Sequence, residues 1–228
     1  MKMLASDFDS TLYVDSFEAF QKNIEAVRSF IKKGNLFCIV TGRSYTNIKP
    51  LLEKYKITYH YLICQDGAKI FDYNDFCFST HYLPVFKIEK VLSIIRKYHF
   101  NYYLDDGYNK TNTISDCVKI AISIDNRKEA AKRFLDEISF LDVYAYLSTE
   151  HINIIDSSVN KKNSLYEVLE YENFDSSDLY VVGDDVNDLE MLTTFYGAIM
   201  KNHNEVLDTL NKKEYEYLYQ YIDTLLER

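Results

Sequence analysis

The sequence predicts an α/β protein, a doubly wound parallel sheet interrupted by an inserted α+β block. Three observations carry this. Short apolar runs alternate with stretches of helical period at both ends of the chain. One of the runs, Leu36-Phe37-Cys38-Ile39-Val40, is too continuously apolar for a half-exposed strand and reads as a buried parallel one. From about His81 the rhythm changes to helices packed with several successive strands, which marks an insert.

Taken in order, Met3-Leu4-Ala5 is a short strand that delivers Asp7-Phe8-Asp9-Ser10-Thr11-Leu12. Phe20, Ile24, Val27 and Ile31 then follow a helical period, and Gly34 closes that helix at the position after its cap. The strand 36–40 ends in Thr41-Gly42-Arg43-Ser44. Ile48, Leu51, Leu52 and Tyr55 predict a helix in which Pro50 lies in the first turn or makes a kink. Tyr61–Cys64 is a third strand, and Gln65-Asp66-Gly67-Ala68 leads to a hairpin of 69–73 against 76–80. In the insert, Pro84 opens a helix with Ile88, Val91, Leu92 and Ile95 inward, and a polar stretch around Asp105-Asp106-Gly107 follows. A strand at 118–124, a helix at 127–138 and strands at 143–147 and 152–155 complete it. The βα rhythm resumes with a helix from Lys161 to about Glu170, a strand at 179–182, Gly183-Asp184-Asp185, a helix near 187–192 and a strand at 196–200. The Tyr- and Leu-rich tail, 214–226, has helical spacing and is expected to cover the core.

Composition narrows the function. At 228 residues the chain can bury a sizeable core, and 47% hydrophobic residues are those of a globular protein. A net charge of −9 argues against nucleic acid or an anionic membrane as partner, since both select basic patches. No apolar run approaches a membrane span, and the N-terminus lacks a signal-peptide core, so a cytoplasmic protein is expected. Cys38, Cys64, Cys77 and Cys117 form no C-x-x-C pair and read as reduced thiols. Nothing demands more than a monomer or a weak homodimer.

All strand carboxyl ends of a parallel sheet open on one edge, so loops far apart in sequence become neighbours. Here those loops carry Asp7 and Asp9, Thr41 and Gly42, and Gly183, Asp184, Asp185, Asn187 and Asp188, while Lys161-Lys162 begins the helix before the last strand. Two acids as close as Asp7 and Asp9 repel unless a cation or a shared proton compensates, and the sequence asks for a cation there. Carboxylate oxygens suit Mg²⁺, and a hydroxyl beside a permissive glycine with an ammonium nearby suits phosphate. The set reads as phosphoryl transfer.

Asp7-Phe8-Asp9-Ser10-Thr11-Leu12, Val40-Thr41-Gly42-Arg43, the Lys161 region and the run 183–192, Gly-Asp-Asp-Val-Asn-Asp-Leu-Glu-Met-Leu, resemble in order the four motifs of the haloacid dehalogenase superfamily. The last is especially similar to that of the Cof-type sugar phosphatases, which carry a C2-type cap where this chain has its insert. The resemblance implies a Rossmann-like catalytic core at 1–81 and 157–228 with a cap at 82–156. It implies a Mg²⁺-dependent phosphatase acting on small phosphorylated metabolites, sugar phosphates first. Asp7 would be the nucleophile that becomes an aspartyl phosphate, and Asp9 the acid and later base, its backbone carbonyl facing the metal. Asp184 would be a further Mg²⁺ ligand, and Asp188 a ligand or the anchor behind one. Thr41, Gly42 and Lys161 would hold the phosphate, with Asn187 adding a hydrogen bond; Lys162 is the alternative lysine. Asp185 and Arg43 read as a polar loop residue and a surface or cap-facing residue.

The chain departs from that pattern in places. Asp66-Gly67-Ala68 stands for Asn-Gly-Ala and is expected to add negative charge near the mouth of the site. Ser10 stands where glycine is common, and the cap is short. A phosphomannomutase-like phosphomutase would need clustered arginines on the insert, whose only ones are Arg96, Arg127 and Arg133. A non-catalytic module binding a divalent metal or phosphate is the remaining alternative.

Overall fold

The computed structural model describes residues 1–148 and 151–227; Thr149 and Glu150, inside the expected cap range, and Arg228 lie outside the described residues. In chain order the strands are β1 (Met3–Asp7), β2 (Leu36–Val40), β3 (Tyr61–Cys64), β4 (Lys69–Asp72), β5 (Cys77–Thr80), β6 (Asn101–Asp105), β7 (Lys110–Thr111), β8 (Lys119–Ser123), β9 (Val143–Leu147), β10 (His151–Asp156), β11 (Leu179–Gly183), β12 (Tyr196–Met200) and β13 (Lys213–Tyr215). The helices are α1 (Phe17–Lys32), α2 (Tyr45–Lys54), α3 (Val85–Tyr98), α4 (Lys128–Ile138), α5 (Lys161–Glu172), α6 (Leu189–Thr194) and α7 (Leu218–Glu227).

Eight strands form the central sheet in the order β13-β12-β11-β1-β2-β3-β4-β5. It is parallel from β13 to β3, and β4 and β5 extend it as an antiparallel hairpin. The strands that follow β1 and those that return after the insert lie on opposite sides of it. A crevice therefore opens at the carboxyl ends of β1 and β11, the usual ligand position in such a sheet. Apolar residues on both faces explain the continuous runs: Leu4, Phe37 and Ile39 pack with Phe20, Ile24 and Val27 of α1, while Met3, Ala5 and Val40 pack with Leu165 and Val168 of α5.

Five strands make a separate antiparallel sheet, β7-β6-β8-β10-β9, under α3 and α4. Ile120, Ile122, Ile152 and Ile154 bury one face against Ile88, Val91, Ile95 and Phe134 of the two helices. Strand alternation sends the next set of side chains to the other face, where Asn153 lies opposite both Ala121 and Tyr146. That polar face is turned toward the crevice of the central sheet.

Two expectations change and one is narrowed. The polar stretch before Asp105 is a strand, β6, paired with β7 and β8; only its Leu104 and Asp105 are buried, so it carries too little apolar pattern to be read from sequence. Pro50 sits well inside α2 instead of its first turn, where its ring removes the N–H that would reach the carbonyl of Thr46. The tail is not helical throughout: 213–215 pairs parallel with Ala198–Met200 as an edge strand, and the helix begins at Leu218. Gln220 Oε1 accepts from the backbone N–H groups of Glu216 and Tyr217 and so fixes that start.

Candidate active site

Asp7 ends β1 at the crevice and is buried. Lys161, the first residue of α5, is buried beside it, with Nζ donating to Oδ1 of Asp7 and to Oδ1 of Asp188, each at 2.6 Å. Asn160 caps that helix, its side chain accepting from the backbone N–H of Asn163, which holds the helix start and Lys161 at the sheet edge. Lys162, one step round the helix, is only half-buried and makes neither contact.

The turn after β11 is organised by Asp188. Its Oδ2 accepts from the backbone N–H groups of Asp184 and Asp185, at 3.0 and 3.1 Å. Gly183 makes room for this carboxylate: a Cβ there would lie 2.4 Å from Asp188 Cγ. The turn aims Asp184 at the crevice, where Thr11 Oγ1 donates to its Oδ1 at 2.8 Å. Asp185 also lines the crevice, but its Oδ1 is occupied in accepting from the backbone N–H of Val186 and from Asn204 Nδ2.

Burial raises the carboxyl of Asp7 well above its ordinary range, and the charges of Asp188 and Asp184 add to this against the opposing Lys161. Burial and the charge of Asp188 push Asp184 up to about 7. Burial pulls Lys161 down, yet the charges of Asp188, Asp7 and Asp66 outweigh it and keep the ammonium above its usual range. One lysine therefore does not compensate the acids around it. Asp7, Asp184 and Asp188 each place a carboxylate oxygen within 4.8 Å of the others, a donor set that fits a hard divalent cation. Asp188 Oδ1 and Asp7 Oδ1 both face Lys161.

Asp9 is two residues from Asp7 but is held separately. Arg43 grips it with two bonds, Nε to Oδ2 at 2.8 Å and Nη2 to Oδ1 at 2.6 Å, so its carboxylate is not one of the clustered three. Ser10 beside it takes a left-handed backbone, φ 60°, which accounts for the glycine common in similar motifs. Thr41 opens the loop after β2, buried, with Oγ1 accepting from the backbone N–H of Arg43 at 3.1 Å.

Asp66 differs most from expectation. It does not charge the mouth of the site; it is fully buried and heavily bonded. Its Oδ1 accepts from Asn187 Nδ2 at 2.8 Å, and its Oδ2 from Lys119 Nζ at 3.0 Å and Tyr146 OH at 2.7 Å. Burial alone would raise this carboxyl, but Lys119 and Lys161, with the bonds from Tyr146 and Asn187, hold it below its usual range. Its backbone is left-handed, φ 58°, and its carboxylate tucks against Gly42, where a Cβ would meet Oδ1 at 3.0 Å. Asn187, expected at the phosphate, thus donates its amide to Asp66.

A cavity of about 370 Å³ lies between the sheets, lined by Asp7, Asp9, Gly42, Arg43, Asp184 and Asn187 from below and by Lys119, Tyr146, Ser148 and Asn153 from above. The upper residues were not singled out from sequence. Their only signal is an acid at Asp66, which calls for a cation; nothing local says that the cation is Lys119, 53 residues away.

Comparison with known proteins agrees with this geometry. The sequence profile of the family described as haloacid dehalogenase-like hydrolase matches residues 4–113 and 101–217. Among curated relatives, the 5-amino-6-(5-phospho-D-ribitylamino)uracil phosphatase YcsE of Bacillus subtilis is 23% identical, over 91% of this chain and 86% of that protein. A second such phosphatase of that organism, YitU, is 24% identical over 83% and 82%. A haloacid dehalogenase-like hydrolase from B. subtilis superposes with a TM-score of 0.86 at 16% identity, over 99% of this chain and 100% of that one. With the profile spanning both sheets and every loop of the crevice, and with Cof-type motifs in it, this chain belongs to the haloacid dehalogenase-like hydrolases.

Proposed function

We propose that the protein is a Mg²⁺-dependent phosphatase that hydrolyses small phosphorylated metabolites, sugar phosphates first, through an aspartyl phosphate on Asp7. The observation that carries this is the state of Asp7. Lys161 fixes Oδ1, no described residue hydrogen bonds to Oδ2, and the side chain lines the cavity. A buried carboxylate with one oxygen held and the other open to a cavity is a positioned nucleophile. The relatives' phosphatase names and the polar upper wall support a hydroxylated substrate.

In this reading Asp9 lets go of Arg43 and takes up a proton from solvent before the chemical step; Asp7 Oδ2 then attacks phosphorus, the ester P–O bond breaks, and Asp9 gives that proton to the departing oxygen. Asp9, now a carboxylate, takes a proton from the water that attacks the phosphoaspartate, releasing inorganic phosphate and restoring Asp7. Lys161, the hydroxyl of Thr41 and the backbone at Gly42 hold the phosphoryl oxygens; Thr41 Oγ1 already accepts from Arg43, which leaves its proton to donate. Mg²⁺, when bound, would supply positive charge at the transferred group, and Asp7, Asp184 and the backbone carbonyl of Asp9 would hold it, with Asp188 anchoring the turn behind them. Residues 82–156 act as the cap over a core of 1–81 and 157–228. Buried thiols at Cys38, Cys64 and Cys117 support action in the cytoplasm, as a monomer or weak homodimer. A phosphomutase is less well supported, since Arg127 of the insert is spent on the carbonyls of Tyr98 and His99.

The test is steady-state hydrolysis of p-nitrophenyl phosphate and a panel of phosphorylated metabolites with Mg²⁺ or EDTA, with Asp7→Asn as control. Phosphate release that needs the metal and vanishes in Asp7→Asn is expected. A folded protein that binds Mg²⁺ but releases phosphate from none of the esters would overturn the reading.

A further inference from the structure

Lys119 is the only cation with which the upper wall meets the cavity among the described residues; its companions there, Tyr146, Ser148 and Asn153, are neutral. Its ammonium has three N–H donors. One goes to the Gly42 carbonyl at 3.1 Å and one to Asp66 Oδ2 at 3.0 Å, and no third acceptor lies among the described residues. The charge is thus spoken for while a donor is left over. Asp66, fully buried within that contact, offsets the positive charge at close range in a poorly solvated place, where such compensation is strongest.

From this we propose that Asp66 is a specificity-determining residue that acts through Lys119: it masks the charge of the cap's lysine, so that the site accepts neutral, hydroxyl-bearing leaving groups and rejects those that carry a carboxylate. The inference rests on the phosphatase reading above and adds a direction of choice to it. A masked lysine can still donate a hydrogen bond to a hydroxyl oxygen. It offers no net charge to offset the burial of a second anion, and the cavity's own Asp7, Asp9 and Asp184 repel one. Arg43, the other cation lining the cavity, is paired with Asp9 on both prongs before the reaction begins, so the entering substrate meets it already neutralised.

Asp66→Asn is nearly isosteric and keeps the bonding. Its amide oxygen can face Lys119 and Tyr146, and its NH₂ can face Asn187, whose own amide turns over to accept. The charge on Lys119 is then unmasked. Asp66 touches no reacting atom in this scheme, so its effect should fall on which ester is chosen.

The experiment measures kcat and KM on two matched pairs that differ only in CH₂OH against COO⁻: glycerol 3-phosphate with 3-phosphoglycerate, and glucitol 6-phosphate with 6-phosphogluconate. p-Nitrophenyl phosphate serves as the general ester and thermal melts check folding. The wild type should prefer the polyol member of each pair by at least about tenfold in kcat/KM. Asp66→Asn should shift that ratio toward the acid by about tenfold or more, mainly through a lower KM for the acid. Adding Lys119→Gln to Asp66→Asn removes both members of the pair, and this double variant should lose the gain. Because it buries no unpaired charge, it also keeps the comparison with the wild type available if Asp66→Asn folds poorly. A wild type that prefers the acids, a ratio unmoved in folded Asp66→Asn, or a gain that survives in the double variant would each overturn the inference while leaving the phosphatase reading standing. Failure to hydrolyse any ester, p-nitrophenyl phosphate included, would overturn both.

Discussion

Arg43 holds Asp9 with both prongs of its guanidinium, at 2.8 and 2.6 Å, and its Cζ lies 5.5 Å from the ring centroid of Phe8 between Asp9 and Asp7. The pair sets where the proposed acid waits. Planar bidentate geometry is what arginine supplies and lysine does not. Arg43→Lys should therefore keep the charge but lose the placement, lowering kcat about ten- to a hundredfold with little change in KM. Stopped-time phosphate release across a substrate range checks this. A variant with wild-type kcat would return Arg43 to a surface role.

Among the described residues Lys161 is the one cation in contact with both Asp7 and Asp188, and all three groups are buried. Removing one partner of such an arrangement leaves uncompensated buried charge. Lys161→Met should destabilise the metal-free protein by about 3–5 kcal/mol. At this chain length that is a fall in melting temperature of roughly 6–20 °C. Lys162→Met, at a half-buried position with no contact to these acids, should change stability by less than about 0.5 kcal/mol. Paired thermal melts in EDTA distinguish the two lysines directly.

The frame of the site was legible because it depends on short-range pattern. Asp7, Thr41 and Asp184 each follow an apolar strand, and parallel strands bring their ends together whatever the loops between them do. What was not legible depends on the approach of the second sheet. Lys119, Tyr146 and Asn153 become neighbours only through the pairing of β8, β10 and β9, and nothing within a few residues of any of them signals the crevice. Asp66 is visible in the sequence as a departure, but its placement is not: the sequence puts a charge near the mouth, whereas the carboxylate is buried and met by Lys119, Tyr146 and Asn187. Strands β6 and β13 escaped for a similar reason, since their burial comes from neighbours and not from a two-residue alternation of their own.

Gly183 tests how far the turn after β11 depends on close approach. A methyl group there would lie 2.4 Å from Asp188 Cγ and Oδ2, and that carboxylate is pinned by two backbone N–H groups and Lys161. It has nowhere to retreat without giving up those bonds. Gly183→Ala should cost about 1–3 kcal/mol through overpacking, and displace Asp184. Because Asp184 is a proposed metal ligand, the Mg²⁺ concentration for half-maximal activity should rise about tenfold or more. Urea unfolding and a Mg²⁺ titration of activity read the two effects separately.

The acids at the crevice give stability a pH dependence whose sign can be worked out. Asp184 rises from an ordinary 3.8 to about 7, by burial first and the charge of Asp188 second, and Asp7 moves in the same direction. The folded protein thus binds these protons more tightly than the unfolded chain. Their stabilising contribution is full below about pH 4 and is lost as pH rises through about 7. Mg²⁺ needs the ionised carboxylates, so its stabilising effect should grow over the same window in which the metal-free protein weakens. At a Mg²⁺ concentration a hundred times its Kd the gain is about 2.7 kcal/mol. For a chain of this size that is roughly 5–11 °C. Melting temperatures measured with Mg²⁺ and with EDTA at pH 5, 6, 7 and 8 should diverge as pH rises, and Asp184→Asn should flatten the divergence. Curves that stay parallel in the wild type would mean that these carboxylates are not where the metal binds.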